Sequence, residues 1–454
     1  MSEPERGYLY EPDRDHRWRT LVYICRRWRI VVLASPHRLD LRLLCTEKIP
    51  VREMLDIWPA LPISIQGIKD DPSLLMKGAD NIIAALEHND RVCQISLCNL
   101  SSWQLENFTA AMHEPFPMLT DLDIRLGDET APIIPDSFLG GFASCLQHLC
   151  LSGIPFPALP KLLLSATDLV DLHLWDIPHS GYISPEAMAT CLSVLTRLEA
   201  LALEFHSPRS HPDLINRPPP LPTHTVMPAL TKLFFHGPSE YLEDLVSRID
   251  VPLLAHIDVV FCDQRIFRTT QLVQFLSRTE KLSVFNRANL RVFLLSSGVT
   301  FFPESGPPDY LRVALKNSHG ERRWQLSSLA RFCSSFLSPL SALESLSLEV
   351  NTSRSSNWQD DPARWLDLLR HFINVKNLYL DAKAVPHVAP ALQELVGERV
   401  TEVLPALQNI VLKPQQQKLS RPVQKAIPEA IEQFAAARLL AGHPLAVYVG
   451  EEIG

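Results

Sequence analysis

The residues most able to do chemistry are the thiols and imidazoles. The nine cysteines stand at positions 25, 45, 93, 98, 145, 150, 191, 262 and 333. Cys93/Cys98 and Cys145/Cys150 share an offset of five. A zinc site needs several ligands at turn-forming spacings, and neither pair has histidines at ligand distance. An odd offset along one strand also points the two side chains to opposite faces. Both pairs therefore read as small hydrophobes in strand cores. His113-Glu114 opens an H-E-x-x-H pattern but lacks the second histidine. The chain contains no G-x-S-x-G elbow, no phosphate-binding or dinucleotide glycine loop, and no C-x-x-C. No catalytic residue, metal ligand or cofactor site is assigned, and no cofactor is expected. An odd number of cysteines scattered through apolar runs points to reduced, buried thiols rather than a disulfide framework.

The elements that would position any site follow from composition. Of 454 residues, 46% are hydrophobic and 21% charged, which fits a folded chain. Leucine occurs 71 times, and proline (37) outnumbers glycine (16) more than twofold. That combination predicts many short segments with hard stops. The net charge of −8 excludes a polycation built for nucleic acid. The charged amino-terminal segment is no signal peptide, and no apolar run reaches the roughly 18 residues of a membrane span. The expected location is the cytoplasm, the nucleus or both, with no membrane and no nucleic-acid partner.

A strand-like core, apolar-x-x-apolar-x-apolar, recurs. Its copies are VCQISL from Val92, LTDLDI from Leu119, LQHLCL from Leu146, LVDLHL from Leu169, LEALAL from Leu198, LTKLFF from Leu230 and LAHIDV from Leu254. Three more follow: LESLSL from Leu343, VKNLYL from Val375 and LQNIVL from Leu407. So loose a pattern arises by chance on the order of fifteen times in such a chain, so the count proves little. The spacing is more informative: 27, 27, 23, 29, 32 and 24 residues, then 32 and 32 for the last three. The intervening SWQLENFTAAM, SPEAMATCLSVL, SEYLEDLVSRI, DPARWLDLLRHF and APALQELVGERV read as amphipathic helices. Pro185, Pro362 and Pro390 sit where a first helical turn tolerates proline. One strand and one helix per repeat predict an α/β solenoid with a mostly parallel sheet and outer helices. The pattern resembles degenerate leucine-rich repeats. Asn351 is the one good match to the asparagine that follows the strand in that family's consensus.

Two regions break the rhythm. Residues 207–228 carry seven prolines and predict an extended loop between repeats; the PPPLP within it could bind a proline-recognising module, but a plain stiff linker is the preferred reading. Residues 281–324 predict two strands, NLRVFLLSSGVTFF and YLRVALKN, forming an antiparallel hairpin that protrudes from the array. Residues 426–454 predict a helix stopped by Gly442 and then a strand, a cap on the last repeat.

Residues 17–44 differ from the rest. Trp18, Leu21, Val22, Cys25, Trp28 and Val32 fall at steps of 3, 4 and 7, one face of a helix over 17–34 that Ser35-Pro36 ends. Between Arg14 and Arg42 eight arginines face two acids, which reads as a solvated face or a patch for an acidic partner. A helix with L-V-x-x-C-R-R-W-R, then A-S-P and an L-x-L-x-L strand, resembles the second half of an F-box. With LLCTEKIPVREMLDIWPALPISI and the repeats, the chain resembles F-box proteins of mushroom-forming fungi. The family's first helix, L-P-x-E/D-x-L-x-x-I-F, has no counterpart in MSEPERGYLYEPDRDH, so the F-box lacks its amino-terminal half.

The resemblance implies two regions: a partial F-box at 1–44 and a leucine-rich-repeat-like solenoid at 45–454. It implies a non-enzymatic substrate-recognition subunit of a cullin-type (SCF) ubiquitin ligase. Leu21, Val22, Cys25, Trp28 and Val32 would meet a Skp-type adaptor, although burial against the repeats is the preferred reading of Trp28 and Cys25 from the residues alone, and the repeats would hold an unidentified protein substrate. The absent first helix predicts weak adaptor binding, because each lost interface anchor commonly costs about 2 kcal/mol or more. The alternatives are a repeat scaffold with no ubiquitin link and an enzyme with an unrecognised site.

Overall fold

A computed structural model describes residues 22–34, 42–46, 48, 51–57, 60–67, 72–128, 131–206, 224–264, 269–282, 285–293, 295–303, 309–316, 325–336, 340–351, 361–414 and 427–450. The chain folds as two compact units, Met1–Ile183 with Val194–Leu198, and Ser184–Ser193 with Glu199–Gly454. Each is a leucine-rich-repeat-like stack of strands with helices on one face.

In the first unit α1 (Arg26–Leu33) precedes β1 (Leu43–Thr46), β2 (Ile63–Gln66), β3 (Val92–Leu100), β4 (Asp121–Leu126), β5 (His148–Ser152) and β6 (Asp171–Ile177). The strands pair in chain order and every pair is parallel. Helices α2 (Val51–Ile57), α3 (Pro72–Leu86), α4 (Ser102–Ala111) and α5 (Leu159–Leu163) return the chain. Helix α4 starts where the sequence supplies a capping box: Gln104 N donates to Ser101 Oγ, and Ser101 N donates to Gln104 Oε1. Along β6 the residues alternate between buried Leu172 and Leu174 and half-buried Asp171, His173 and Trp175. Period-2 burial sends every second side chain into the stack.

The second unit contains α6 (Pro185–Leu192), β7 (Ala200–Phe205), β8 (Thr225–Val226), β9 (Lys232–Gly237), α7 (Ser239–Val246), β10 (Ile249–Asp250) and β11 (His256–Cys262). Then come α8 (Thr270–Ser277), β12 (Arg287–Phe293), β13 (Ser296–Phe302), β14 (Tyr310–Lys316), α9 (Gln325–Ser335), β15 (Ser345–Asn351), α10 (Pro362–Leu369), β16 (Asn377–Asp381), α11 (Val385–Gln393), β17 (Asn409–Lys413), α12 (Glu429–Leu440) and β18 (Ala446–Val449). Its main sheet runs β7-β9-β11-β14-β13-β12-β15-β16-β17-β18.

All ten core motifs contribute strands, and Leu122, Leu149, Leu172, Leu201, Leu233, Leu346 and Leu378 are all buried as the repeat reading requires. Five expectations change. The segment 281–324 is no protruding hairpin: NLRVFLLSSGVTFF splits into β12 and β13, and all three strands lie inside the sheet. β13 is antiparallel to β12 and β14, while β12 and β14 run parallel to β15 and β11. The two-residue connection between β12 and β13 leaves no room for the crossover a parallel pair needs. The inward row stays continuous, Val259, Val313, Val299, Leu290, Leu348 across five strands. Phe285, Phe301, Phe332 and Phe336 fill the space behind it, with successive ring centroids 5.2–5.5 Å apart.

Second, residues 207–223 of the proline-rich stretch lie outside the described residues, but Thr225–Val226 pair in parallel with Ile249–Asp250 and Met227 is buried. Third, Pro390 is inside α11, which begins earlier with Pro386 in its first turn. Fourth, Cys145 precedes β5 and is exposed, whereas Cys93, Cys98 and Cys150 are buried in strands. None of the nine cysteines forms a disulfide. Fifth, the amino-terminal helix is broken at Cys25, which is extended at φ −161°.

The carboxy-terminal segment does contain a helix, then Gly442 at φ +80°, then β18 paired with β17. Its buried Arg438 has no carboxylate partner among the described residues. Its guanidinium donates to the carbonyls of Val400, Leu404, Pro405 and Leu407 at 3.1–3.3 Å. The Leu404 carbonyl also accepts from Leu407 N at 3.0 Å, and the arginine gives all four carbonyls a donor at once.

Candidate functional site

The residues expected to meet an adaptor separate in the structure. Val22 and Val32 are buried; Cys25 is exposed and Trp28 is 48% exposed. Leu21 lies outside the described residues, as does Trp18. The extended Cys25 resets the helical phase, so steps of 3 and 4 counted across it no longer mark one face. Arg29 Nε donates to the Val22 carbonyl at 3.1 Å across the break. Tyr23, Ile24, Ile30 and Val31 are exposed beside Trp28.

The larger candidate is the sheet face that the helices leave open. Strand register builds it: alternate positions of adjacent strands point outward and form rows across the sheet. In the first unit one row is Gln94, Asp121, His148, Asp171; the next is Ser96, Asp123, Cys150, His173; the third is Arg125, Ser152, Trp175. Asp171 Oδ2 lies 2.7 Å from His148 Nδ1. That hydrogen bond raises the His148 pKa above its ordinary value. Arg125 forks onto the Asp123 carboxylate at 2.8 and 3.1 Å. Burial pushes the Cys150 thiol well up, and burial pushes His173 down. The ring of His173 lies 5.8 Å from that of Trp175. Outward positions here carry three carboxylates and one guanidinium.

In the second unit the outward positions are more basic and more aromatic. Lys232, Arg287, Arg291, Arg312, Lys316 and Lys413 face Glu204, Asp258, Glu349 and Asp381, and Phe234, Tyr310 and Tyr379 stand among them. Arg312 donates to both Asp258 oxygens at 2.9 and 3.1 Å. Arg291 and Asn289 share the Glu349 carboxylate at 2.9 and 2.8 Å. Lys413 lies 5.2 Å over the Tyr379 ring. Asn409 donates to Asn377 at 2.8 Å on the neighbouring strand. Glu204, His236 and Cys262 adjoin one another: His236 Nδ1 is 2.5 Å from Glu204 Oε1, and His236 Nε2 contacts Cys262 Sγ.

The sequence reading missed both histidine sites. A usable signal was present: His148 and Asp171 stand at the same offset from the starts of successive core motifs, and so do Glu204 and His236. Equal offsets in adjacent repeats place side chains side by side. No group of three or more His, Cys, Asp or Glu among the described residues could hold a metal ion, and no helix among them is long and apolar enough to cross a membrane.

No family model matches the chain, and no curated protein matches it. Among solved structures it is similar to the TLR13 chain of a TLR13–ssRNA13 complex, at 13% identity and a TM-score of 0.33, over 82% of this chain and 46% of that one. The chain thus spans about half the length of that neighbour. It is also similar to the leucine-rich repeat-containing protein LegL7 from Legionella pneumophila, at 14% identity and a TM-score of 0.28, over 88% of this chain and 98% of that one.

Proposed function

We propose that the chain is a binding scaffold whose open sheet faces hold a protein partner. The observation that carries this reading is the rows of half-buried charged, polar and aromatic side chains on outward positions of rigid adjacent strands. Such rows supply many weak contacts in fixed register, and rigid backbone spares the ordering cost of binding. In this function the chain contributes surface and makes no bond.

The finer reading is a substrate receptor of a cullin-type ubiquitin ligase, with a Skp-type adaptor at residues 22–34. It rests on the F-box-like sequence there and on the exposure of Tyr23, Ile24, Trp28, Ile30 and Val31. The contact set is Trp28 with Ile30 and Val31, and Val22 and Val32 support it from the buried side. The receptor would raise the effective concentration of substrate lysines near a conjugating enzyme. A pull-down with a purified Skp-type adaptor tests it. Binding by the chain that is lost in Trp28→Ala and Val31→Asp supports the receptor reading. No binding by any form removes the ubiquitin link and leaves the scaffold.

A further inference from the structure

The Glu204–His236–Cys262 relay has parts that partner binding does not use. The three residues come from β7, β9 and β11, which are neighbours in the sheet. Each ring nitrogen of His236 has one partner, so the imidazole is held in one orientation. Nδ1–H donates to the Glu204 carboxylate, and Nε2 accepts from the Cys262 thiol. His236 is 7% and Cys262 8% exposed, so water competes little for either contact. A histidine and a thiol buried together on a repeat surface need not touch. Here a carboxylate orients the base and the base engages a nucleophile, the arrangement that activates a thiol for attack.

The outward positions next to His236 are small and apolar. Register sets Val260 next to Ala314, and Ala314 next to Gly298. All three lie at outward positions, so the floor beside the relay is small and apolar. Gly298 is required there: a Cβ would stand 2.8 Å from the Val313 carbonyl and 2.9 Å from Ala314 Cα. At the far end Lys316 is paired in register with Cys262 and is exposed. Its ammonium favours negative charge developing on an oxygen beside the sulfur.

We propose that Cys262 is an acyl-acceptor nucleophile, with His236 as its general base and Glu204 as the positioning residue, and that it takes short acyl groups from thioesters. In the step, the Sγ–H proton passes to His236 Nε2 and Sγ bonds to the carbonyl carbon. The carbon–sulfur bond of the donor then breaks, and the leaving thiolate takes the proton back from Nε2. The products are S-acyl-Cys262 and a free thiol, with no oxidant or reductant. Burial pushes the resting Cys262 thiol up to about 12, partly opposed by Lys316. The thiol is therefore neutral at rest, and the proton must leave during attack, which is the work of His236. The titratable groups facing this site are Glu204, Asp258, Asp263 and Lys316.

The test uses the full chain and the acetyl thioester of N-acetylcysteamine, with acetylation of each cysteine followed by peptide mass spectrometry. Cys262 is expected to acetylate faster than the exposed Cys25 and Cys145 despite its burial. His236→Ala should slow it roughly 10²–10⁴-fold, leave Cys145 unchanged, and recover in part on adding free imidazole. Glu204→Gln should slow it less, and Glu204→Asp should recover part of the native rate. Cys262 reacting no faster than Cys145 overturns the proposal. The relative rates of Cys262 and Cys145 in the native chain decide the matter even if a variant fails to fold. A His236→Ala chain that keeps its native unfolding transition and acetylates at the native rate also overturns it.

Discussion

In the first unit the strands join in the order in which the chain makes them. In the second, β12 takes a place three strands beyond β11, and β13 and β14 fill the gap in reverse. Both units obey the same inward rule, because alternate positions are buried in the antiparallel strand as in the parallel ones. The difference lies in the connections. Helices Thr270–Ser277 and Gln325–Ser335 allow the chain to skip places and stay parallel, while the two-residue link after β12 forces reversal. Strand direction is thus set by what lies between strands, and strand burial by the strands themselves. The outward faces differ too: acids outnumber cations in the first unit, and cations outnumber acids in the second. Nothing in the buried rows constrains those positions, so the two units can present different chemistry on one framework.

The largest effect should come from the centre of the reversed strand. Phe301→Ala removes a ring buried against Phe285 and Phe336 and should cost about 3–5 kcal/mol by denaturant unfolding. In the first unit Leu172→Ala should cost roughly 2–5 kcal/mol through the cavity it leaves. If Phe301→Ala costs under about 1 kcal/mol, the reversed strand is not part of the second unit's core. Arg438→Ala should cost about 2–3 kcal/mol, since buried carbonyls lose charged donors. Arg438→Lys should restore little of this, because an ammonium has three donors for four carbonyls.

The smallest effect is electrostatic and separates the faces. His148 has a raised folded pKa, so the charged form is favoured by folding. Its contribution is fully present below the unfolded pKa and is lost as pH rises through the folded value. The pair is partly exposed, so the gain should stay below about 1 kcal/mol. The stability difference between the native chain and Asp171→Asn should therefore shrink as pH climbs from acidic to mildly alkaline. A difference independent of pH would show that the His148–Asp171 contact carries no charge.

Much of the architecture was legible in the residues. Leu122 to Leu378 were identifiable as inward positions because burial has period 2, and each motif carries that period within six residues. Pro185 and Pro362 marked helix starts because proline lacks a donor that a first turn does not use. The place of β12, β13 and β14 was not legible, because hydrophobic alternation is the same in either strand direction. The break at Cys25 escaped for a related reason. Its neighbours fit a continuous helical face, and helical spacing records side-chain type rather than backbone angle. Pro390 was misplaced because Pro386 serves the first turn instead.

The amino-acid sequence by itself determined that the chain builds strand-and-helix repeats, which side of each strand is buried, and that its thiols sit mainly in apolar surroundings. Those properties are local, resting on periodicity and propensity within one repeat. The tertiary structure alone decided which repeats are neighbours. On that depend the reversed strand, the four carbonyls gathered around Arg438, and the contacts of His148 with Asp171 and of His236 with Glu204 and Cys262. The histidine contacts join residues more than twenty positions apart, and only the register between strands brings them within hydrogen-bonding distance.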